Sequence, residues 1–139
     1  MFSGIVQGTA LITSVVQRED VLTIEVGLGD KLVQELTIGA SVAVDGVCLT
    51  AVNIDGGQVK FDLIGETVKC STLGSERLNT AVNIERSLKF GDEIGGHVVS
   101  GHVSGCATVK GIINGENGRT LLLSCHDDEI GYLMNKGFV

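Results

Sequence analysis

The stretch Ser3-Gly4-Ile5-Val6-Gln7-Gly8-Thr9-Ala10-Leu11-Ile12 returns 97 residues later as Ser100-Gly101-His102-Val103-Ser104-Gly105-Cys106-Ala107-Thr108-Val109. Both read S-G-x-V/I-x-G-x-A-x-I/V, and self-similarity at a fixed offset marks a chain built from repeated units. The likeness weakens beyond it. Even so, a strand at Leu22–Val26 has a counterpart near Leu121–Cys125, and Gly39 has one in Gly137. The first copy continues through Asp45-Gly46-Val47-Cys48-Leu49-Thr50 and a strand around Val82, whereas the second reaches Val139 roughly sixty residues short of a full unit. Half a barrel would leave strand edges unpaired and its own face unburied. The expectation is therefore a natural polypeptide that continues past Val139. The alternative is a genuine 139-residue protein whose tail packs on the first copy or swaps with a partner chain.

Around the repeat the pattern is that of strands. Leu22, Ile24 and Val26 alternate with Thr23 and Glu25, Val59, Phe61 and Leu63 with Lys60 and Asp62, and Val82 and Ile84 with Asn83 and Glu85. That period of two predicts half-buried strands. Asp55-Gly56-Gly57 predicts a hairpin, because glycine supplies a positive φ, and Val44-Asp45-Gly46-Val47 and Ile113-Asn114-Gly115 read the same way. Short helices are expected over Asp30–Leu36, capped by Asp30, over Thr67–Leu73 and over Asp128–Met134, with His126-Asp127-Asp128-Glu129 as a helix start. Many short strands and few helices mean an all-β barrel or sandwich, and closure into a barrel also removes exposed edges.

Composition bounds the function. The 139 residues are 43% hydrophobic, enough for a core, but only 4% aromatic, and 20 glycines do the turning in a chain without proline. A net charge of −7 argues against a nucleic-acid binder, which needs a basic face. No apolar run approaches the ~20 residues that span a bilayer, and the N-terminus lacks the charged start and apolar stretch of a signal peptide, so a cytoplasmic protein with no membrane partner is expected. Cys48, Cys70, Cys106 and Cys125 include no CxxC pair; Cys70, Cys106 and Cys125 are expected to be small buried hydrophobes kept reduced. With only His97, His102 and His126 to join scattered cysteines, no metal site is expected.

Several segments together carry a family resemblance. Met1-Phe2-Ser3-Gly4-Ile5-Val6-Gln7-Gly8, Gly46-Val47-Cys48-Leu49-Thr50, Phe61-Asp62-Leu63 with Glu66-Thr67, and Lys89-Phe90-Gly91-Asp92-Glu93-Ile94-Gly95-Gly96-His97-Val98-Val99-Ser100-Gly101-His102 resemble the α-chain type riboflavin synthases. The resemblance implies two tandem six-stranded Greek-key barrels and a homotrimer. Residues 1–88 would be the first lumazine-binding barrel, 89–97 a linker and 98–139 the beginning of a second. It implies a cofactor-free dismutation of two 6,7-dimethyl-8-ribityllumazine molecules to riboflavin and 5-amino-6-ribitylaminouracil, with lumazine synthase as a possible pathway partner. Such chemistry needs a base for the C7 methyl proton, a nucleophile or water at the other C7, and both rings held face to face. Holding two reactants together supplies on the order of 7–11 kcal/mol in favourable cases. In the family the site lies between the first barrel of one subunit and the second barrel of a neighbour.

Carried onto this chain, the resemblance implies catalytic roles for Cys48, His102, Phe2 and Ser41. Cys48 and Thr50, two apart on a strand, face one side, and Cys48-Leu49-Thr50 would line the pteridine pocket; the bland reading makes Cys48 core and Thr50 a β-former. The exposed backbone of Asp62 and Ile64 and the side chains of Glu66 and Thr67 would meet ring carbonyls and ribityl hydroxyls, with Leu63 and Gly65 in the same substrate-binding segment. Glu66 reads equally as a helix residue favoured by the dipole. His102 is the natural proton carrier at neutral pH, while His97 would organise the linker. Gly4-Ile5-Val6 is read as the strand lining the first site as Gly101-His102-Val103 lines the second, and Lys136 matches a ligand-contacting lysine. Two other classes compete: a non-catalytic lumazine- or flavin-binding antenna protein, and a Greek-key barrel serving only to dimerise.

Overall fold

A computed structural model of the chain describes residues 1–138. Six strands close into a barrel in the order β1-β2-β5-β4-β3-β6: β1 Gly8–Arg18, β2 Val21–Gly27, β3 Ser41–Val44, β4 Val47–Asp55, β5 Gln58–Ile64 and β6 Ala81–Arg86. Every neighbouring pair is antiparallel, and β6 returns to pair with both β3 and β1. Because β2 lies beside β5 rather than β3, the path is a Greek key. The alternation read from the sequence fills the interior: Leu22, Ile24, Val26, Val59, Phe61, Leu63, Val82 and Ile84 all sit in one apolar core. Phe61 is the single aromatic in that core, and Val, Leu, Ile and Ala fill the rest.

Two of the three predicted hairpins fall in place. Val44 pairs with Val47 across Asp45-Gly46, whose φ angles of 46° and 84° are both positive as a tight hairpin turn requires. Asp55 pairs with Gln58 across Gly56-Gly57. Between strands lie α1 (Gly29–Val33), α2 (Gly65–Cys70) and a single 3-10 turn at Ser75–Arg77. Asp30 is not the cap of α1; it lies in the first turn, and Leu28 stands at the cap without a side-chain bond. The helix starts early because the Leu28 and Gly29 amides both donate to the Gly57 carbonyl, which seats Leu28 in the core. Asp45 clamps the region of the 3-10 turn to the barrel: one carboxylate oxygen accepts from the Asn83 amide at 2.7 Å and the other from the Arg77 guanidinium.

The chain forms two compact units, Met1–Val103 and Ser104–Val139, with Val139 itself outside the described residues. The second holds β7 (Thr108–Gly115), β8 (Gly118–Ser124) and α3 (Asp127–Ile130). Its hairpin repeats the first hairpin register for register. All seven β7–β8 pairs, from Thr108↔Ser124 to Gly115↔Gly118, are the β1–β2 pairs Leu11↔Gly27 to Arg18↔Val21 moved by 97. The irregularity between Ile12 and Ser14 recurs between Val109 and Gly111.

Five expectations are corrected. The counterpart of Leu22–Val26 is Arg119–Leu123, and the β7–β8 turn is Glu116-Asn117 rather than Asn114-Gly115, since Asn114 and Gly115 are themselves paired, with Arg119 and Gly118. Gly4–Val6 and Gly101–Val103 are not strands: β1 begins at Gly8 and β7 at Thr108. Gly4 and Gly101 have φ of 78° and 77°, a left-handed conformation that interrupts a strand. α3 ends at Ile130, short of Met134. Cys70 and Cys125 are only half-buried and Cys106 is exposed, because α2 buries no residue and the β7–β8 hairpin has no second layer in its own unit.

Candidate functional site

Ala43 on β3 pairs with Cys48 on β4 and with Glu85 on β6. By alternation with Val42, Val44 and Ile84 it faces outward, and neither it nor Glu85 belongs to the apolar core. Both are nevertheless buried, at 4% and 6% exposure. What covers this patch is the N-terminal segment together with residues 96–101. Phe2 forms an antiparallel bridge with Val99, its amide donating at 2.9 Å and its carbonyl accepting at 3.0 Å. The His97 amide donates to the Ser3 carbonyl at 2.9 Å, and the Leu88 amide to that of Met1. The Cys48 amide donates to the Gly101 carbonyl at 2.8 Å.

Gly101 is where these pieces meet. A Cβ built on it would lie 2.9 Å from the Cys48 Cβ and 3.0 Å from the Phe2 ring, so ring, thiol-bearing side chain and loop are in van der Waals contact. Phe2 is 1% exposed yet lies outside the barrel core: its ring is buried against the outer surface. Gly96 is equally constrained, since a Cβ there would collide with the Ser3 carbonyl.

Next to this cluster the β4–β5 ladder stops. It runs from Asp55↔Gln58 to Ala51↔Phe61 and no further, while β4 stays paired with β3 and β5 with β2 as far as Ile64. Cys48–Thr50 and Asp62–Ile64 therefore lie on adjacent strands past the end of their shared ladder. Ser41 sits directly across from Thr50, and Cys48 shares their face. Two hydroxyls, a free thiol, main-chain amide and carbonyl groups and an aromatic ring form a set suited to a flat heterocycle with amide edges.

Phe2, Ser41, Cys48, Thr50 and Gly101 are thus brought to one region of one unit, and His102 follows on the same loop. Its amide donates to the Ser100 hydroxyl at 3.1 Å and its side chain is exposed. The first copy makes the same turn, with the Ile5 amide on the Ser3 hydroxyl at 3.3 Å. Leu49 and Leu63 point their side chains into the core, which leaves their main chain for a ligand. The Asp62 carboxylate accepts from the Thr23 hydroxyl at 2.7 Å, in a groove over β1, β2 and β5 of about 250 Å³. Ile64 is exposed at the head of α2, where Gly65, Glu66 and Thr67 form the first turn, and the Cys70 thiol reaches the Glu66 carboxylate at 3.4 Å. Ile5 and Val6 are exposed on the loop before β1, and Lys136, with φ of 61°, belongs to the second unit.

Glu85 and Gly96 were missed. Glu85 sits at an outward position of β6 and reads as a solvated strand residue. The one signal pointing to it was the Ser3-Gly4 pair, whose successive amides form an anion-accepting turn. Among the described residues no helix is long and apolar enough to cross a membrane, and no group of three or more His, Cys, Asp and Glu could hold a metal.

A family model described as the lumazine binding domain matches residues 3–87. The chain is 43% identical over 140 residues to the riboflavin synthase of Escherichia coli (strain K12), across all of this chain and 66% of that protein. It is 37% identical over 142 residues to that of Buchnera aphidicola subsp. Schizaphis graminum, covering 100% of this chain and 67% of that one. It therefore spans about two thirds of the length of these curated relatives. Among solved structures, LumP complexed with riboflavin superposes with a TM-score of 0.83 at 27% identity, over 96% of this chain and 72% of that chain. LumP complexed with 6,7-dimethyl-8-(1'-D-ribityl) lumazine gives 0.79 at 27% identity, over 92% and 71%.

Proposed function

Since the chain belongs to the lumazine-binding-domain family, that of the riboflavin synthases, we propose that it acts in riboflavin synthesis. The reaction is the dismutation of two 6,7-dimethyl-8-ribityllumazine molecules, one giving a four-carbon unit to the other, with riboflavin and 5-amino-6-ribitylaminouracil as products. No cofactor is required in this reading. The observation that carries it is the convergence of Phe2, Cys48 and Gly101 beside the Ser41–Thr50 pair, where the β4–β5 ladder ends.

The division of labour follows from chemistry. Main-chain groups of Thr50, Asp62 and Ile64 take the amide edges of the pyrimidine ring, and Glu66 and Thr67 at the start of α2 take ribityl hydroxyls. The ring of Phe2 bounds the pocket and excludes water from one face. His102 carries the proton to and from the C7 methyl, since imidazole is the side chain that exchanges protons near neutrality. Ser41 and Cys48 orient the second C7 or the water added there. Lys136, a homotrimer built on tandem barrels, a cytoplasmic location and a pathway association with lumazine synthase complete the reading.

Incubation with 6,7-dimethyl-8-ribityllumazine, followed by the growth of riboflavin absorbance and fluorescence, tests it. Riboflavin formation supports the enzyme. The likeness to LumP supports a second reading, a non-catalytic carrier, and a tightly held fluorescent ligand without turnover would favour it over the enzyme. No binding and no turnover would sink both.

A further inference from the structure

Glu85 is the one buried charged residue of the described structure, and none of its hydrogen bonds goes to a cation. Its Oε1 accepts from the Ser3 amide at 2.6 Å and the Ser3 hydroxyl at 2.8 Å, and its Oε2 from the Gly4 amide at 3.1 Å. All three partners belong to the N-terminal segment, 81 or 82 residues away in the chain. A carboxylate buried on neutral donors is costly to desolvate. Core packing alone would be better served there by an apolar side chain, so the placement calls for a role that an apolar side chain cannot fill.

That role follows from what else holds the segment. The remaining bonds of Met1, Phe2 and Ser3 run to Leu88, Val99, His97 and, within the segment, Ile5, all outside every strand of the barrel. Chain termini fray unless tied down. Gln7 holds the approach to β1 against Ile84 and Arg86; ahead of it, Glu85 is the barrel-strand side chain that fastens Ser3 and Gly4, and Phe2 is the residue they deliver. Resting on the functional reading above, we propose that Glu85 is a positioning residue. By clamping Ser3 and Gly4 it holds the Phe2 ring against Gly101 and Cys48, and through the Phe2–Val99 bridge it sets the loop that carries His102. A carboxylate suits this because it only accepts, and two oxygens receive three donors. A glutamine would turn an NH2 group toward the same donors.

The test uses the full chain and the variants Glu85→Gln, Ser3→Ala, Phe2→Ala and Glu85→Gln/Phe2→Ala. Hydrogen exchange of the Ser3 and Gly4 amides, read without ligand, should accelerate about tenfold or more in Glu85→Gln, the scale of hydrogen bonds to a charged group. Ser3→Ala, which removes only the hydroxyl of a half-buried residue outside the barrel core, should accelerate exchange at Gly4 and leave the barrel's melting unchanged. Affinity for 6,7-dimethyl-8-ribityllumazine and for riboflavin, followed by fluorescence, should fall about tenfold in Glu85→Gln. The double variant should bind no more weakly than Phe2→Ala alone, because the two act through one another. Additive losses, or unchanged exchange at Ser3 and Gly4, would overturn the positioning role. A wild-type chain that takes up neither ligand would overturn the functional reading instead, while the exchange measurement still decides whether the clamp exists.

Discussion

Gly101 tolerates no side chain in its present place. Its φ of 77° penalises any residue with a Cβ by about 1 kcal/mol, and the Cβ would press on Cys48 and the Phe2 ring at 2.9 and 3.0 Å. Gly101→Ala should therefore cost about 1–3 kcal/mol and lower the melting temperature by several degrees. Ligand affinity should fall with it, because the loop must move; a calorimetric scan paired with a riboflavin titration checks both. At His102 the expected loss is in rate. His102→Gln should reduce riboflavin formation by about 10²–10⁴ with little change in melting, since its side chain is exposed; full turnover in that variant would remove His102 from the proton-transfer role. At this scale Cys48 and Thr50 were legible, because a strand's alternation puts both on one face. Glu85 was not, because the same alternation sends it outward and only the segment folded over it makes it buried.

Among the elements, the turns carry the clearest local instructions and the helix ends the weakest. Asp45-Gly46 and Gly56-Gly57 were readable from glycine and aspartate alone. Asp30 misled, because the Leu28 and Gly29 amides are both anchored on the Gly57 carbonyl and the helix starts where that anchor places it. Asn114-Gly115 misled because β7 runs on through both residues, Asn114 pairing with Arg119 and Gly115 with Gly118, so the turn falls at Glu116-Asn117. Asp45 supports both a turn and a clamp. Asp45→Ala should lose about 1–3 kcal/mol, since it strips the Asn83 amide and the Arg77 guanidinium of their acceptors while Arg77 Nε is already buried without a partner. Asp45→Asn, which keeps an acceptor and tolerates positive φ, should lose less. Urea midpoints for the two variants check the order; equal losses would assign the whole effect to charge.

For the molecule as a whole, the unit Met1–Val103 contains a complete barrel and the segment that returns to cover its outer face. A chain ending after Val103 should melt with the same barrel transition as the longer one. A chain ending at Leu88 should melt lower and expose Cys48, because the bonds from Val99, His97 and Gly101 to Phe2, Ser3 and Cys48 are gone. Alkylation of Cys48, mapped by mass spectrometry, should be slow in the first and fast in the second. Equal rates would show that residues 89–103 do not cover the site.

What the sequence alone determined is everything set by near neighbours. Alternation placed the barrel strands and their core, glycines with positive φ placed two hairpin turns, and the repeat at an offset of 97 pointed to a second copy of the first strands, whose register and turn only the structure decided. Tertiary structure decided the site's cover. Phe2 reaches Val99 and Gly101, and Ser3 reaches Glu85, through contacts between segments some eighty to a hundred residues apart. No local period encodes such contacts, because whether an outward side chain meets water or another segment depends on where the rest of the chain returns.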